Sequence, residues 1–538
     1  MKTDIILKSK NIFTSRTDTP VSGGVAVTGN KIAAVLTDEE LLDWSADKVL
    51  DYGEKLIMPG FVDAHVHYFM GAMAASDHWT TEPTGSKSEA DCVEIMKKFE
   101  KSHPDEKRLV GLGWFPAAWG DAPLPSKKSL DEAFPDKPVY MFAADFHTLW
   151  TNSKGLEESG ITPDMKPRSG SVEVDDNGEM TGIVMEPDAY MPAMYMAQSF
   201  DDATMKEINM GFLKHIASCG ITSLSEISYE PYTEKVLAKY KSLKALEKEG
   251  LLTTRVHLYT EFVGHTDFTT ALEWQKELDS EKVRLSGVKA LVDGVCSTYT
   301  GMLLEPYSDM PDTAGIGVPF APREEIEKSV IAANKAGLPV RLHSIADGSV
   351  RLALDVFEAS LKANGKHGLP NTIEHIEHIH PDDVPRFAEL DVIASMQPFH
   401  LILDENEKPV RVGPERAKLE WPHRTLLDAG AKLAFGTDYP VVDFNPYPTI
   451  HAAVTRCFSD GSPASVNPEE CVTLAETLKA YTAGGAAAYN RDDIGTLEEG
   501  KLADIIIVDR NLFDIPAAEI LQCSTVLTMF DGKIVYEK

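Results

Sequence analysis

Two histidines near the start of the chain have the spacing of metal ligands on a β-strand. His65 and His67 follow the apolar pair Phe61-Val62, which itself follows the turn residues Pro59-Gly60. Residues i and i+2 of a strand point to the same face, so the two imidazoles project side by side. Neutral imidazoles in this arrangement can take neighbouring positions on Zn²⁺. A His-x-His pair can equally face solvent on an ordinary strand, so the remaining candidate ligands decide between the two interpretations.

Three further candidate ligands stand where later apolar strands end, namely His343, His375 and Asp438. A single histidine in such a position is more often a hydrogen-bonded core residue than a ligand. Four histidines and one aspartate at the ends of strands one, five, six and eight are different, because a barrel gathers these ends around one mouth. Imidazole nitrogen and carboxylate oxygen are ligands that zinc accepts. The sequence therefore predicts one or two divalent metal ions, with zinc as the expected metal.

Lys289 is the remaining candidate for this site, on the strand candidate that continues into Asp293. A lysine that reacts with CO₂ becomes an anionic carbamate, whose two oxygens can bridge two metal ions. We predict this carbamate at Lys289 from its position on the strand. Two alternatives stay open: the ammonium group of Lys289 pairs with Asp293, or the thiolate of Cys296 in the following loop binds metal instead.

The elements that position these residues follow an alternating pattern. From Gly220 onward, short apolar strand candidates alternate with helices, which is typical of βαβ units and a parallel sheet. With a first strand at 57–62 the count is eight, the number that closes a (β/α)₈ barrel. We therefore predict an α/β protein with a TIM-type barrel over residues 58–489. The candidate ligands lie at the carboxyl ends of their strands, where barrel enzymes carry out their chemistry.

Two stretches depart from a plain barrel. Residues 70–210 are far longer than one crossover connection needs, so we predict an inserted subdomain that covers the barrel mouth. Residues 1–57 and 490–538 contain short strand candidates with turn signals, and we predict that they form one small composite β-sandwich. Binding and catalytic residues often lie on loops, and we expect three loop residues to contact the substrate: Trp114, His147 and Tyr299.

Composition limits the classes of partner. The formal net charge of the 538-residue chain is −32, and we find no cluster of basic residues of the kind that binds nucleic acid. No apolar run approaches the length of a membrane span. The six cysteines include no Cys-x-x-Cys pair, which suits reduced thiols in a cytoplasmic protein better than disulfides. We expect a small-molecule substrate, no nucleic acid or membrane partner, and a homodimer as the assembly to consider.

Two segments carry a family resemblance. The run Met58-Pro-Gly-Phe-Val-Asp-Ala-His-Val-His67 and the run Gly495-Thr-Leu-Glu-Glu-Gly-Lys-Leu-Ala-Asp504 resemble amidohydrolases of the branch that includes N-substituted formamide deformylases. The similarity runs almost end to end. Loops around Gly113-Trp114-Phe115 and Asp145-Phe146-His147 resemble loops that reach over the active site of this family.

The resemblance implies a role for each candidate ligand. His65, His67 and Asp438 would bind the more buried metal, His343 and His375 the second, and Lys289 would bridge them. Histidines also stand at positions 378 and 380, but Thr-Ile-Glu-His375 matches the strand-six ending of the family. Glu374 or Asp347 would hold a ligand imidazole in its metal-binding tautomer.

The implied activity is metal-dependent hydrolysis of an amide or formamide-type carbon–nitrogen bond other than a peptide bond. Asp438 would act as general base and His147 would help to polarise the carbonyl group. The same site could act on a cyclic amide, a carbamate, an ester or an aminated ring, or catalyse a non-hydrolytic reaction. A metal-binding regulatory protein without turnover is the alternative from another class.

Overall fold

The computed structural model describes residues 1–115, 119–120, 123–144, 146–167, 170–228, 232–311, 318–403, 408–464 and 467–538. Asp145, part of one loop motif, lies outside these residues. The chain forms two compact units. The first, here called the main unit, consists of Met1–His67 and Leu213–Lys538, and the second, here called the inserted unit, is Tyr68–Phe212.

Both ends of the chain contribute strands to one sheet of the main unit. Alternating buried side chains such as Leu7, Ile57 and Ile505 form its core. The composite sandwich itself stays a prediction. The eight strands of this sheet are Lys2–Ile12, Val21–Thr28, Lys31–Leu36, Ser45–Asp51, Leu56–Pro59, Ile505–Val508, Thr525–Phe530 and Lys533–Glu537.

A second eight-stranded sheet of the main unit is parallel throughout and follows the chain order. Main-chain hydrogen bonds join its first and last strands, from the N–H of Ala64 to the carbonyl of Phe435 and from His67 to Tyr439, both at 3.0 Å. The sheet is thus a nearly closed parallel barrel, which confirms the predicted α/β fold with a TIM-type barrel. Its strands are Phe61–Asp63, Ile221–Ile227, Arg255–Glu261, Val283–Leu291, Val340–Ser344, Thr372–His375, Ile393–Met396 and Lys432–Phe435.

The first barrel strand begins later than the sequence predicts. The predicted strand at 57–62 is wrong, because Leu56–Pro59 pairs antiparallel with Ile505–Val508 in the terminal sheet. Gly60 separates the two sheets, and a Cβ atom there would lie 2.3 Å from the side chain of Thr222. Only glycine allows this close approach of the first and second barrel strands.

Helices connect the barrel strands in the pattern expected of βαβ units. In Arg323–Lys335, acidic Glu324 and Glu325 occupy the first turn and a lysine the last, which complements the helix dipole. The α-helices from residue 202 onward are Asp202–Cys219, Glu234–Lys248, Thr269–Leu278, Arg323–Lys335, Asp347–Asn364, Arg386–Glu389, Lys408–Val412, His423–Asp428, Pro446–Thr455, Leu474–Lys479 and Gly485–Ala488.

The inserted unit has a five-stranded sheet of its own, with the strands Leu109–Trp114, Val139–Ala143, Thr148–Thr151, Ser171–Val174 and Met180–Met185. Its helices are Tyr68–Ala74, Glu89–Ser102, Lys127–Ala133, Ser153–Ser159 and Pro187–Ala197. Apolar side chains of the sheet and the helix Glu89–Ser102 pack into a separate core. That this unit covers the barrel mouth stays a prediction.

No helix in the described part of the chain is both long and apolar enough to span a membrane. The predicted homodimer, the cytoplasmic location and the lack of a nucleic-acid partner stay predictions.

Candidate metal centre

The first two candidate ligands lie just past the end of the first barrel strand. Val66, between them, forms a parallel bridge with Tyr439, so the backbone stays extended beyond Asp63 and its side chains continue to alternate between the two faces. The ring centroids of His65 and His67 are 5.6 Å apart. The carboxylate of Asp438 faces both rings: its Oδ1 lies 3.4 Å from Nε2 of His65 and 3.1 Å from Nε2 of His67. These three side chains therefore converge as predicted from their strand-end positions.

The other oxygen of Asp438 faces a second group of histidines. Its Oδ2 is 3.9 Å from Nδ1 of His375, which ends the sixth strand. The His375 ring lies 4.4 Å from that of His343 and 4.9 Å from that of His65, measured between centroids. The barrel thus brings together the four predicted histidines and the aspartate at one end of its strands.

The sequence places His400 in a loop that could line the pocket but does not indicate it as a ligand, and the structure adds it to this group. His400 follows the seventh strand, is buried, and has its Nε2 3.9 Å from Oδ2 of Asp438. Potential ligand atoms of His65, His67 and Asp438 form one compact group, and those of His375, His400 and Asp438 form another, each within 4.8 Å. Only the place of His400 in a loop after a barrel strand could have signalled this role.

Several polar atoms at this centre are buried without a hydrogen-bond partner among the described residues. Native proteins leave few buried polar atoms unpaired, so such a cluster needs an explanation. A bound cation provides it, because imidazole nitrogens and carboxylate oxygens are suitable ligands. The residues present therefore fit a divalent metal ion. These atoms are Nε2 of His65, both ring nitrogens of His375 and Oδ1 of Asp438; the described residues also leave Nζ of Lys289 without a partner, which a cation alone does not explain.

Lys289 is fully buried on the fourth strand. Its predicted alternative partner, Asp293, instead accepts main-chain N–H groups of Met302, Ile345 and Ala346 at 2.9, 3.0 and 3.2 Å. The pairing of Lys289 with Asp293 is therefore wrong. Burial lowers the pKa of Lys289 to about 8, although the carboxylates of the centre oppose the shift. The neutral amine that reacts with CO₂ is thus accessible near neutral pH.

The alternative thiolate ligand has different surroundings. Cys296 begins a short 3₁₀ helix and packs in an apolar cluster with Leu303, Tyr307 and Ile345. It belongs to neither of the two groups of potential ligands among the described residues. These surroundings favour Lys289 over Cys296 as the residue that completes the centre.

The hydrogen bonds behind the first two histidines fix their tautomers. Nδ1 of His65 lies 2.7 Å from Oε2 of Glu374, and Nδ1 of His67 lies 2.6 Å from the carbonyl oxygen of Ile227. Both oxygens can only accept, so Nδ1 carries the proton and Nε2 of each ring keeps a lone pair for metal. Burial also lowers the pKa of His65, which keeps its ring neutral. Glu374 is thus one of the two acidic residues expected to hold a ligand imidazole.

Arg341 binds the carboxylate oxygen of Glu374 that does not face His65. The guanidinium Nη1 of Arg341 donates to Oε1 of Glu374 at 3.1 Å, and both side chains are fully buried. Burial alone would raise the pKa of Glu374, but Arg341 and His65 outweigh it and bring the pKa to about 2. The carboxylate therefore stays ionised behind His65 throughout the physiological pH range.

Asp347, the other acidic residue considered, has a different role. It lies in the first turn of the helix Asp347–Asn364 and accepts the N–H of Leu304 at 2.9 Å. Its carboxylate therefore anchors the loop after the fourth strand.

Asp63 connects the first barrel strand with the loop that follows the last one. Its Oδ1 accepts the N–H groups of Thr437 at 3.0 Å and His65 at 3.3 Å. Its Oδ2 accepts the hydroxyl groups of Thr437 and Tyr481, both at 2.9 Å. Burial raises the pKa of Asp63 to about 7, against the effect of these hydrogen bonds. This carboxylate fixes the loop of Asp438 to the segment that carries the two histidines.

Replacing Glu374 with glutamine should weaken metal binding by about 10- to 100-fold, the usual effect of losing a partner behind a ligand. A neutral amide cannot serve both Arg341 and His65 as the carboxylate does. Competition with a coloured chelator measures the affinity. Glu358→Gln, which removes a partly exposed carboxylate paired with Lys362, is the control. Unchanged metal affinity in Glu374→Gln would show that the tautomer of His65 does not depend on this contact.

The expected substrate contacts lie in different surroundings. Trp114 is fully buried in the core of the inserted unit, and its indole N–H donates to the carbonyl of Met141 at 2.8 Å. This position favours a packing role for Trp114 over the predicted contact with substrate. His147 is also in the inserted unit, with Nδ1 2.6 Å from Oε2 of Glu186. Neither contact was evident from the sequence, because both depend on residues distant along the chain.

Tyr299 lies in the loop after the fourth barrel strand, in the left-handed region with φ of 59°. Its hydroxyl donates to Oδ2 of Asp309 at 2.8 Å. The guanidinium carbon of Arg411 lies 5.1 Å from the centroid of its ring. Tyr299 is therefore held on both its ring face and its hydroxyl, and its contact with substrate stays a prediction.

Comparison with known proteins agrees with this geometry. The model of the amidohydrolase family matches residues 48–536, which is most of the chain. The chain belongs to the amidohydrolase family. The predicted resemblance is confirmed, and with it the prediction of a hydrolase that acts on carbon–nitrogen bonds other than peptide bonds.

Individual relatives of this amidohydrolase match over nearly the whole length. Protein LONG AFTER FAR-RED 3 of Arabidopsis thaliana is 28% identical, over 99% of this chain and 91% of that protein. N-substituted formamide deformylase of Arthrobacter pascens is 25% identical, over 99% and 98%. An uncharacterized metal-dependent hydrolase from Pyrococcus horikoshii OT3 has a similar structure, with a TM-score of 0.76 and 28% identity, covering 95% of this chain and 99% of that one.

Proposed function

We propose that this amidohydrolase hydrolyses an amide or formamide-type bond of a small molecule, with Asp438 as general base. The observation that carries the proposal is the position of the Asp438 carboxylate, whose two oxygens face two groups of buried histidines. The similarity to an N-substituted formamide deformylase over 98% of that protein supports formamides as the first substrate class to test.

The proposed metal is zinc, in one or two ions. His65, His67 and Asp438 would hold one ion, and His343 and His375 the other, with a carbamate on Lys289 between them. The mixed nitrogen and oxygen donors support zinc, and the unpartnered, buried Nζ of Lys289 supports the carbamate. When bound, a divalent ion lowers the pKa of a water molecule and polarises a carbonyl group.

The residues of the chain would then move the protons. Asp438 takes a proton from the attacking water and delivers it to the nitrogen of the departing amine. Burial alone would raise the pKa of Asp438, but a divalent cation held by this aspartate, His65 and His67 would keep the carboxylate ionised. The carboxylate is therefore ionised and ready to accept a proton at neutral pH.

Two loop residues would orient the substrate in this proposal. His147 donates a hydrogen bond to the oxygen of the scissile carbonyl group, where negative charge develops during attack. Tyr299 contacts the remainder of the substrate.

Removing metal should abolish hydrolysis, and adding Zn²⁺ should restore it. The test uses N-butylformamide, N-butylacetamide, butyl acetate and a cyclic amide, each before and after treatment with a chelator. We expect the fastest turnover with N-butylformamide, because the chain is similar to an N-substituted formamide deformylase over nearly its whole length. Elemental analysis of the untreated protein should find zinc.

Other outcomes of this experiment separate the alternatives. Faster turnover of the ester or the cyclic amide would change the proposed substrate class but leave the proposed metal chemistry in place. A protein that binds zinc but hydrolyses none of the four compounds would overturn the proposed substrate class and favour a metal-binding protein without amide turnover. Full activity after complete removal of metal would contradict the metal-dependent mechanism.

A further inference from the structure

Gln397 directly follows the seventh barrel strand, and its side chain points into the barrel. Ser395 on this strand is the register partner of Glu374, whose carboxylate lies 2.7 Å from Nδ1 of His65. Paired residues of neighbouring parallel strands face the same side of a sheet, so Ser395 points inward with Glu374. Gln397 stands two residues further on, and its backbone is still extended, with φ of −121° and ψ of 83°. Its side chain therefore faces the same side, at the carboxyl end of the strand.

The backbone around Gln397 is joined to the metal centre on two sides. The carbonyl oxygen of Gln397 accepts the N–H of His400 at 2.9 Å, and Nε2 of His400 lies 3.9 Å from Oδ2 of Asp438. The carbonyl oxygen of the preceding Met396 accepts the N–H of Gly436, which stands two residues before Asp438, at 3.1 Å. Gln397 thus stands between two segments that each carry a residue of the centre.

The side-chain amide of Gln397 is fully buried and makes no hydrogen bond to the described part of the chain. Neither its Oε1 nor its Nε2 has a partner there. A buried carboxamide without partners is costly, because both of its polar atoms give up their hydrogen bonds to water. Zinc in proteins is bound by thiolate, imidazole and carboxylate groups, so a metal ion does not account for this amide. A bound substrate with complementary polar groups does.

A second glutamine of the main unit provides a matched control. Gln275 lies on the helix Thr269–Leu278 and is half-buried. Its Nε2 donates to the carbonyl oxygen of Leu285 at 3.2 Å. The amide of Gln275 is therefore used within the fold, whereas that of Gln397 is not.

We propose that Gln397 is a specificity-determining residue that recognises the amide group of the substrate, with its Oε1 accepting the N–H of the scissile bond. The inference rests on the proposed function and deepens it, because it gives a reason for amides to be preferred. A carboxamide carries no charge and offers both donors and acceptors, so it complements another neutral amide. Gln397 neither gives nor takes a proton, and the N–H that it binds leaves with the amine.

This contact distinguishes an amide from an ester of the same shape. The ester has an oxygen in place of the N–H, and it would leave Oε1 of Gln397 unpaired in a buried site. Sites that bind a substrate N–H through a buried polar group reject analogues that lack it far more strongly than apolar pockets reject a change of size. The expected signature of Gln397 is therefore a difference between two substrates.

The test compares N-butylformamide with butyl formate on the zinc-loaded protein. Gln397→Met fills a similar space without polar atoms. It should lower kcat/KM for N-butylformamide by about 10- to 100-fold, the usual effect of losing one hydrogen bond to a buried group. Its kcat/KM for butyl formate and its zinc content should stay nearly unchanged. Gln275→Met should match the wild-type protein with both compounds.

Thermal unfolding of the same zinc-loaded proteins provides a measurement that does not depend on turnover. Gln397→Met removes a buried amide that has no partner in the fold, so its Tm should equal or exceed that of the wild-type protein. Gln275→Met breaks a hydrogen bond and should not raise the Tm. A marked fall in the Tm of Gln397→Met at full zinc content would show that the amide is needed by the fold, and would overturn the inference.

The kinetic outcomes separate the inference from the function on which it rests. Equal losses with the amide and the ester in Gln397→Met, or wild-type kinetics with both, would overturn the role of Gln397. If neither compound is hydrolysed, the proposed substrate class fails, and crystals of the zinc-loaded protein soaked in formamide decide about Gln397. Formamide hydrogen-bonded to the Gln397 amide supports the inference, and water alone on both Oε1 and Nε2 contradicts it.

Discussion

Replacing Asp438 with asparagine should lower turnover by about 10²- to 10⁴-fold, the usual contribution of a general base. Asparagine has the same size and keeps an oxygen where Oδ1 faces His65 and His67. Its amide nitrogen cannot accept a proton from water. Most of the metal should therefore stay bound while hydrolysis is lost, and elemental analysis alongside steady-state kinetics measures both.

Asp443→Asn is the matched control for this substitution, because Asp443 lies in the same loop but is exposed. It should leave both metal content and turnover unchanged. A protein with Asp438→Asn that keeps its metal and nearly wild-type turnover would assign the proton transfer to another residue, such as His147 or His400. Loss of all metal would show instead that Asp438 is chiefly a ligand.

Replacing Lys289 with methionine should remove one metal ion per chain and lower turnover by at least about 10²-fold. Loss of a residue that only supports a metal ligand costs up to about 10²-fold, and loss of a bridging ligand should cost more. Methionine matches the length of the lysine stem, so the fully buried position stays filled and the barrel stays folded. It cannot react with CO₂ and leaves the space between the histidines without an anion. Elemental analysis and thermal unfolding measure the metal and the fold separately.

Acetate or propionate should restore part of the activity of Lys289→Met, because a small carboxylate can take the place of the carbamate. Electron density of the wild-type protein should show the atoms of CO₂ beyond Nζ of Lys289. If Lys289→Met keeps full metal content and turnover, no bridging carbamate is needed, and the unpartnered Nζ has another role.

The sequence predicts which side chains converge at this centre, because their positions depend on local order. A ligand at the end of an apolar strand needs only the strand, and the barrel then gathers all such ends at one face. His65, His343, His375 and Asp438 were found in this way. Glu374 also followed from the sequence, because it precedes His375 on the same short strand.

Contacts between distant parts of the chain could not be predicted in the same way. The start of the first barrel strand was misplaced because Leu56–Pro59 pairs with residues more than 400 positions later. The place of His400 after a strand and that of Asp63 at the end of one are weak signals, since histidines and aspartates are common at such places. Trp114 looked like a loop residue, but the sheet of the inserted unit surrounds its ring. These features depend on pairings that only the folded chain establishes.

The contacts of Asp63 have a consequence for the assembly of the molecule. The segment with His65 and His67 comes from the start of the chain, and the loop with Asp438 from its last fifth, yet hydrogen bonds at the seam between the first and last barrel strands join them. A ribosome must therefore synthesise the chain beyond Asp438 before the site exists. A metal ion could then bind only late in maturation, and it would hold together the seam of a completed barrel. Binding of metal should therefore slow amide hydrogen exchange at this seam more than at any other pair of barrel strands.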